Sequence, residues 1–354
     1  MKKAIIAMSG GVDSSVAAYL MKKNGFECIG ATMKLFDNED IIINNDKSCC
    51  SLDGVEDARS VARKLEIPYY VFNFRDEFCK NVIDKFVSTY ENGGTPNPCI
   101  DCNRNLKFQK LMDKMTELQF DYVVTGHYAS VEEKDGRFLL KRGVDKSKDQ
   151  SYVLYNLTQN QLAHIIFPLG EYTKTQIRKI ANEQGFVNAD KRESQDICFV
   201  PDGDYVSFIK EYTHKAYPTG NFVNLNNEVI GTHQGIINYT VGQRKGLGVA
   251  FGEPMYVCSV NPEANTVTLG KNEDLFSKEL TATDINLISV DRIVGEKRVT
   301  AKIRYNHKEQ PATVIQTDES TIKVIFDEPQ RAITKGQAVV LYDGEYVLGG
   351  GTII

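Results

Sequence analysis

The sequence predicts an α/β fold: an N-terminal domain with a parallel sheet, a small β-rich central domain and a C-terminal β-barrel. Three observations predict it. Short apolar runs alternate with segments of helical spacing over about the first 200 residues, which favours a parallel sheet covered on both faces. Turn signals separate short β-rich runs from about residue 205, and runs of period two dominate from about residue 281. We therefore expect domains at 1–205, 206–280 and 281–354.

The N-terminal domain is expected to alternate strands and helices. Buried-strand patterns lie at 4–8, 27–33, 69–74 and 122–125. Helical spacing of apolar residues lies at 16–21, 55–65 and 106–118. Asn24-Gly25 ends the first helix and Pro68 ends the second. In the C-terminal domain, the runs expected to form barrel strands are 299–305, 313–316, 322–326 and 339–342.

Composition indicates an ordinary globular chain without a general affinity for nucleic acid. The chain has 354 residues, of which 42% are hydrophobic and 25% charged, and this excludes collagen-like, disordered and coiled-coil proteins. With 42 basic and 47 acidic residues the net charge is −5, so the basic footprint of any nucleic-acid site must be local. No apolar run approaches the roughly 18 residues of a membrane span. We expect a cytoplasmic protein with no membrane partner.

A glycine-rich loop, Ser9-Gly10-Gly11-Val12-Asp13-Ser14-Ser15, follows the first predicted strand and opens the first helix. Its glycines allow close backbone approach, and the N–H groups at a helix start form an anion site. The loop lacks the lysine of a Walker A motif and the spacing of G-x-G-x-x-G. Asp13 is unusual in an anion site unless it holds a metal or orients the loop. The alternative is a tight turn that caps a helix.

Three of the eight cysteines stand in patterns that indicate thiol chemistry. Two prolines precede the C-x-x-C formed by Cys99 and Cys102, and the helix that follows favours a thiolate. Cys198 lies further along the chain. A half zinc site is the alternative, but no second C-x-x-C completes it, and buried inert thiols are another. The remaining cysteines are expected to be structural: Cys28, Cys49, Cys50, Cys79 and Cys258.

Two local runs are basic. Residues 137–148 hold five Lys or Arg against one acid, and residues 292–308 hold six against one acid. Tyr128, Tyr152 and Tyr305 are expected to offer stacking faces to bases, since the chain has no tryptophan. The alternative for each run is a solvated strand face.

The glycine-rich loop resembles the pyrophosphate loop of N-type ATP pyrophosphatases, which cleave ATP between the α- and β-phosphates. Together with the cysteines, nearly the whole chain resembles the tRNA-specific 2-thiouridylase family. The motifs that carry this resemblance are Ala7–Ser15, Cys49–Ser51, Thr95–Pro98, Cys102-Asn103, Gly126–Ala129, Lys148–Tyr152, Ile197–Phe199 and Gly242–Gly248.

The resemblance implies a reaction. ATP would adenylate the 2-carbonyl oxygen of the wobble uridine in tRNA, and sulfur would replace that oxygen, giving 2-thiouridine, AMP and pyrophosphate. Cys198 would carry a persulfide received from a cysteine desulfurase or a sulfur-relay protein. Cys102 would be the nucleophile that releases the sulfur, with a Cys102–Cys198 disulfide as an end state.

The resemblance also implies site residues. The catalytic set would be Cys99, Cys102 and Cys198. ATP, with Mg²⁺, would be held by Ala7, Met8, Ser9, Gly10, Gly11, Val12, Asp13, Ser14, Met33 and Gly126. The tRNA would be contacted by Asn97, Pro98, Cys99, His127, Lys148, Asp149, Gln150, Arg304, Tyr305 and Gln337. For His127, a core position is equally open.

One departure leaves the mechanism open. The commoner form of the family has an aspartate, the usual candidate for general base, where this chain has Cys99. Cys99, Cys102 and Cys198 could instead hold a 4Fe–4S cluster with one iron open to hydrosulfide. Two rival functions also stand: a pyrophosphate-loop ligase acting on a small molecule, and a tRNA-binding iron–sulfur protein without turnover.

Overall fold

The computed structural model describes residues 1–36, 52–191, 197–200, 202–249 and 252–354. The motif at Cys49-Cys50 lies outside the described residues. The chain divides into two compact units. The first contains residues 1–82, 99–203 and 345–347, and the second contains residues 83–98, 204–344 and 348–354.

The secondary structure follows in chain order. The strands are β1 (Lys3–Ala7), β2 (Glu27–Lys34), β3 (Tyr69–Asn73), β4 (Tyr122–Val124), β5 (Ala129–Lys134), β6 (Arg137–Arg142), β7 (Ile165–Ile166), β8 (Gly220–Val223), β9 (Val229–His233), β10 (Tyr256–Asn261), β11 (Thr266–Gly270), β12 (Phe276–Leu287), β13 (Glu296–Lys302), β14 (Gln310–Gln316), β15 (Ile322–Arg331), β16 (Ala338–Asp343) and β17 (Tyr346–Ile353).

The helices are α1 (Val12–Lys23), α2 (Leu52–Lys64), α3 (Arg75–Phe78), α4 (Asp84–Glu91), α5 (Pro98–Cys102), α6 (Gln109–Glu117), α7 (Gln159–Ala163), α8 (Lys174–Glu183) and α9 (Tyr205–Thr213). Two π-helical turns, Cys79–Ile83 and Asn103–Phe108, lead into α4 and α6, and short 3-10 turns lie at Ser151–Leu154, Ile236–Asn238 and Asn272–Leu275.

The first unit is organised around a parallel sheet with the strand order β3-β2-β1-β4-β7. Ile5 in β1 lies opposite Ile29 in β2 and Val123 in β4. The interior of β1 is fully buried, which explains its uninterrupted apolar sequence. The strand order reverses between β1 and β4, and ligands of open parallel sheets bind at such a reversal, outside the carboxyl ends of the strands. This topology brings the loops that follow β1 and β4 together.

Helices cover this sheet and complete its core. Val16 and Met21 of α1, Ala58 of α2 and Ile177 of α8 are buried in one apolar cluster with the sheet. Burial of a side chain as large as those of Val16, Met21 and Ile177 stabilises a fold by about 1.5–3 kcal/mol. An antiparallel β5–β6 hairpin, which the sequence did not predict, extends the unit.

The second unit contains two β structures. The first is a four-stranded sheet with the order β10-β11-β8-β9, built over Phe222, Tyr239, Val257 and Val267. The second has the order β12-β15-β14-β13-β16-β17 and is closed by pairing of β12 with β17, which makes a barrel around its own apolar core. Closure removes the exposed sheet edges.

Residues 83–98 belong to the second unit, although the sequence placed them in the expected domain 1–205. The reason is aromatic packing between α4 and α9. The Tyr90 and Tyr205 rings stack with their centroids 4.4 Å apart, and the Phe86 ring lies 6.3 Å from that of Phe208. In the part of the chain described here, no helix has both the length and the apolar character needed to cross a bilayer.

Candidate functional site

The glycine-rich loop joins β1 to α1 at the carboxyl end of the sheet. Gly10 has φ +75°, and a Cβ there would overlap the carbonyl of Gly54 and lie 2.6 Å from its Cα. Gly11 is the N-cap of α1 and brings no capping side chain to the helix start. The backbone N–H groups at the start of α1 therefore have no capping side chain from Gly11, as an anion site at this helix start requires; the anion site itself stays a prediction.

Side-chain hydroxyl and amide groups fix the shape of the loop by hydrogen bonds. Ser14 Oγ donates to the Gly11 carbonyl (3.0 Å) and accepts from the Ser9 N–H (3.2 Å). Asn188 Nδ2 lies 2.9 Å from both the Gly10 carbonyl and Ser15 Oγ. Asn188 is 2% exposed, and its Oδ1 has no hydrogen-bond partner among the residues that the structure describes. The loop is thus shaped before any ligand arrives.

Asp13 is held by two residues distant in sequence. Lys174 Nζ lies 2.8 and 2.9 Å from its carboxylate oxygens, and the Tyr128 hydroxyl donates to Oδ1 at 2.7 Å. The ammonium group compensates the carboxylate charge inside an anion site. Of the two roles considered for Asp13, orientation of the loop is the one this geometry favours.

The loop after β4 touches the loop after β1. A Cβ on Gly126 would lie 2.9 Å from the backbone of Asp13 and Ser14, so glycine is required for this approach. Ala7 ends β1, Met8 is buried after it, and Met33 lies two residues beyond the Ala7–Ala31 pair on the neighbouring strand. The predicted ATP residues therefore share one edge of the sheet.

The predicted thiols occupy a helix and a turn of the first unit. Cys99 is exposed and Cys102 buried, both on α5, while Cys198 is half-buried. The Phe199 ring packs edge-to-face on Phe78, with centroids 5.6 Å apart, and anchors the Cys198 turn. An approach of Cys198 to Cys102 stays a prediction.

Two other thiols are poor nucleophiles. Burial raises the pKa of Cys28 to about 11, against a smaller opposing effect of Lys22. Burial, together with the charge of Asp274, raises the pKa of Cys258. Because the thiolate is the reactive form, both fit the structural role expected for them.

Hydrogen bonds to neighbouring residues fix the segment Lys148–Gln150. The Asp149 carboxylate accepts from the Gly143 N–H (3.2 Å) and the Ser151 hydroxyl (2.8 Å). Gln150 accepts from the Tyr128 N–H through Oε1 and donates its own N–H to the Tyr128 carbonyl, each at 3.0 Å. The Asp149 and Gln150 side chains thus set the shape of this segment.

The expectation for two aromatic residues is wrong. Tyr128 is 3% exposed and Tyr152 is fully buried, so neither offers a stacking face to a base. The apolar ring of Tyr128 is buried instead, and its hydroxyl, which needs a buried hydrogen-bond partner, donates to Asp13. Tyr305 is 38% exposed, as a stacking face requires.

The predicted C-terminal contacts lie in the second unit. Gln337 Nε2 donates to the carbonyls of Thr95 (2.9 Å) and Pro96 (3.1 Å), so its amide holds the segment that ends at Asn97 and Pro98. Arg304 reaches the carbonyl of Ala332 at 3.4 Å.

Part of the basic run 292–308 is neutralised. Arg298 makes a bidentate pair with Asp327 (2.8 and 2.7 Å), and Lys297 pairs with Asp343 at 2.8 Å. These two positions favour the solvated-face interpretation of the run.

Comparison with known proteins identifies the family. Residues 2–202 match a family model described as the tRNA methyl transferase HUP domain, residues 206–271 its PRC-barrel domain, and residues 277–353 an aminomethyltransferase beta-barrel domain. The tRNA-specific 2-thiouridylase MnmA of Clostridioides difficile is 53% identical over 354 residues, covering 99% of this chain and 98% of the relative. The proteins of that name from Clostridium botulinum (51%; 99% of this chain and 98% of the relative) and Acetivibrio thermocellus (52%; 99% of each) match similarly.

The chain belongs to the tRNA-specific 2-thiouridylase family. This confirms the resemblance read from the motifs. The fold class is confirmed as well, with an N-terminal parallel sheet, a central β domain and a closed C-terminal barrel.

A 4Fe–4S cluster on Cys99, Cys102 and Cys198 stays a prediction. Within the described residues, which include these three cysteines, no three or more His, Cys, Asp or Glu side chains form a group that could hold a metal ion.

Sequence reasoning missed two polar residues of this 2-thiouridylase site, Lys174 and Asn188. They contact the loop from 161 and 173 or more residues away. No local motif marks either, and Lys174 reads as an ordinary first-turn helix residue. Only the packing of α8 beside α1 brings them to the loop.

His127, a predicted tRNA contact of the 2-thiouridylase family, is buried between Phe108 and Phe167, with ring centroids 5.9 Å away on each side. Its Nδ1 lies 2.7 Å from the Thr125 hydroxyl. Burial, assisted by the charge of Lys107, holds the pKa of His127 well below its ordinary value. This environment favours the core histidine.

We expect the His127 ring to stay neutral as the pH falls through the ordinary histidine pKa of about 6.5, because burial lowers the pKa of this ring. The unfolded chain takes up a proton there and the folded chain does not, so this residue's contribution to stability is present above about pH 6.5 and is lost as the pH falls. Ring carbon-13 shifts in a histidine-labelled sample test this, with the resonance assigned by its loss in His127→Gln. A midpoint near pH 6.5 contradicts the expectation.

Proposed function

We propose that this protein is an ATP-dependent tRNA sulfurtransferase that converts the wobble uridine to 2-thiouridine. The observation that supports it most is the Ser9–Ser15 loop: it presents the N-terminus of α1 at the strand-order reversal of the sheet, in a chain related over its full length to 2-thiouridylases. We further propose the domains 1–205, 206–280 and 281–354 and a cytoplasmic location.

The first step is adenylation. The backbone N–H groups of the Gly10–Ser14 turn bind the ATP phosphates, and the positive end of the α1 dipole stabilises their charge. The 2-carbonyl oxygen of uridine attacks the α-phosphorus, the bond between the α- and β-phosphates breaks, and pyrophosphate leaves. Mg²⁺ arrives with the phosphates, since Asp13 is already engaged by Lys174 and Tyr128.

The second step is sulfur transfer. A cysteine desulfurase or relay protein loads Cys198 as a persulfide, whose outer sulfur attacks C2 of the activated base and displaces AMP. The Cys102 thiolate then attacks the inner sulfur of Cys198. The bond between the inner and the outer sulfur breaks, and the outer sulfur stays on C2 of the base. 2-Thiouridine is released and a Cys102–Cys198 disulfide forms. A cellular dithiol supplies the two electrons that restore the thiols.

The wobble base must leave its stack to reach the thiols. We propose that Asn97, Pro98 and Cys99 meet the base, and that Lys148–Gln150, Arg304, Tyr305 and Gln337 meet the remaining tRNA, while His127 supports the core beneath. For Asp149, Gln150 and Gln337, whose side chains support their own segments, the contact is made from a preformed surface.

Mass spectrometry of nucleosides tests the function. An unmodified tRNA transcript is incubated with the protein, ATP, Mg²⁺, cysteine and a cysteine desulfurase, and digested. We expect 2-thiouridine at the wobble position only when ATP is present. No product, with ATP–pyrophosphate exchange on a small molecule instead, would establish the ligase alternative. Iron and sulfide assays on anaerobically purified protein test the persulfide route, which fails if removing iron abolishes activity.

We expect Lys148→Ala to weaken tRNA binding and to flatten its salt dependence. Loss of one phosphate contact reduces the slope of log K against log salt by about 0.7–0.9. Lys179→Ala is the matched control, because Lys179 is a strongly exposed lysine on α8 paired with Glu183. Filter binding across a salt series measures both variants. An unchanged slope in Lys148→Ala removes Lys148 from the tRNA surface.

A further inference from the structure

Asp13 is the meeting point of two side chains that come from different parts of the first unit. Lys174 is the first residue of α8 and binds both carboxylate oxygens. Tyr128 follows β4 and binds one of them. Both residues are buried, so their positions are fixed by packing rather than by solvent. The first turn of α1 therefore moves only if these two residues move with it.

The backbones of the same two residues are bonded to one segment, Asp145–Gln150. The Lys174 N–H donates to Asp145 Oδ2 at 2.9 Å. Tyr128 exchanges two hydrogen bonds with Gln150, one with its side chain and one with its backbone, each at 3.0 Å. Two short connections thus run from the carboxylate of Asp13 to the two ends of this segment.

Hydrogen bonds within the segment hold its shape. The Lys148 N–H donates to the Asp145 carbonyl at 2.9 Å, and the Asp145 carboxylate also accepts from the Ser147 hydroxyl at 2.6 Å. Hydrogen bonds from the Lys174 backbone and from Ser147 hold the pKa of Asp145 below its ordinary value, so the acceptor stays charged. A displacement of Lys148 is consequently passed to Asp145 and Gln150 rather than absorbed by a loose loop.

We infer that Tyr128 and Lys174 are positioning residues that couple the nucleotide loop Ser9–Ser15 to the segment Asp145–Gln150, so that ATP and tRNA each raise the protein's affinity for the other. The inference rests on the proposed function, which assigns Lys148–Gln150 to tRNA. Each ligand binds the arrangement in which Asp13 and the segment are held in register. The first ligand fixes that arrangement, and the second then binds without the cost of fixing it.

Equilibrium binding tests this coupling. The dissociation constant of α,β-methylene-ATP, which resists cleavage at the proposed bond, is measured with and without saturating unmodified tRNA. The constant for tRNA is then measured with and without the analogue. We expect each ligand to lower the dissociation constant of the other by the same factor, at least about fivefold, because coupling between binding sites is reciprocal. We call this ratio the coupling factor.

Tyr128→Phe removes only the hydroxyl to Asp13 and keeps the backbone bonds to Gln150. We expect this variant to bring the coupling factor close to one. Its affinity for the analogue alone should stay within about threefold of wild type, a smaller change than the roughly 5–150-fold typical of such couplings. Lys174→Met is a second variant that keeps the length of the side chain. The matched controls are Tyr346→Phe, whose hydroxyl donates to Glu132, and Lys179→Met on α8; both should keep the wild-type factor.

The outcomes separate the two claims. Wild-type protein that binds neither ligand overturns the proposed function and the inference with it. Wild-type protein that binds both ligands with a factor of one overturns the inference alone. A wild-type factor retained in both Tyr128→Phe and Lys174→Met also overturns it, whereas loss of the factor in either variant, with the controls unchanged, supports it.

Discussion

Replacing Cys102 with serine abolishes 2-thiouridine formation, by at least about a thousandfold, since a nucleophile that forms a bond in the reaction is replaced by a poorer one. Binding of tRNA should stay within about twofold of wild type, AMP should still be released, and the base should accumulate as an adduct joined through the outer sulfur to Cys198. Filter binding measures the tRNA affinity, and single-turnover assays with labelled ATP, followed by nucleoside analysis, measure the released AMP and the missing 2-thiouridine. This separates the thiol step from the ATP step, because the Ser9–Ser15 loop, which we propose binds ATP, contains no cysteine.

Cys258→Ser is the matched control for that experiment. Burial raises the pKa of the Cys258 thiol, and the residue lies in β10, in the other compact unit. We expect it to retain full activity. If Cys102→Ser kept activity, Cys102 would not be the nucleophile. If Cys258→Ser lost activity without a loss of stability, loss of activity in Cys102→Ser would no longer be specific to Cys102.

The Gly10→Ala variant is expected to lose nucleotide binding by at least about tenfold, a change of about 1.4 kcal/mol. Two effects act together. The backbone at Gly10 has φ +75°, and an added Cβ would overlap the carbonyl of Gly54 in α2. Neither obstacle can be relieved by rotating a side chain, because both involve backbone. The loop must therefore shift, and the N–H groups that bind phosphate shift with it.

Gly25→Ala isolates the first effect. Gly25 has φ +80° and no heavy atom within 4 Å of the added Cβ, so it should cost only the conformational strain of about 1–2 kcal/mol in the free energy of unfolding. Titration with α,β-methylene-ATP and thermal unfolding of both variants give the comparison. Equal nucleotide affinity in Gly10→Ala and Gly25→Ala would show that the close approach to α2 does not shape the site.

The sheet and the glycine loop could be predicted because their signals are local. An apolar run followed by glycines and a helical pattern is sufficient to place β1, the loop and α1. The charge pair of Asp13 with Lys174 could not be predicted, since its partners lie 161 residues apart and long-range pairing leaves no pattern in either neighbourhood. Residue type alone also fails to tell a buried tyrosine from an exposed one, as Tyr152 and Tyr305 show.

The membership of residues 83–98 in the second compact unit could not be predicted for a related reason. The strand–helix alternation continues from β3 through α3 into this segment, and one family model spans residues 2–202, so no local break marks it. Its apolar face is completed by Tyr205 and Phe208 of α9, which follow more than a hundred residues later. Which helix a helix packs against depends on the complete set of apolar faces, and no single stretch contains that information.

The bond from Gln337 to the carbonyl of Thr95 has a consequence for biosynthesis. Prolines at 96 and 98 lack an N–H, so this stretch depends on hydrogen-bond donors from other parts of the chain. The donor Gln337 is synthesised 242 residues after Thr95. At a translation rate of about 5–20 residues per second, the ribosome needs roughly ten to fifty seconds to cover that distance. The stretch Thr95–Pro98, which precedes Cys99, therefore lacks that hydrogen-bond donor for most of the time that the polypeptide is being synthesised.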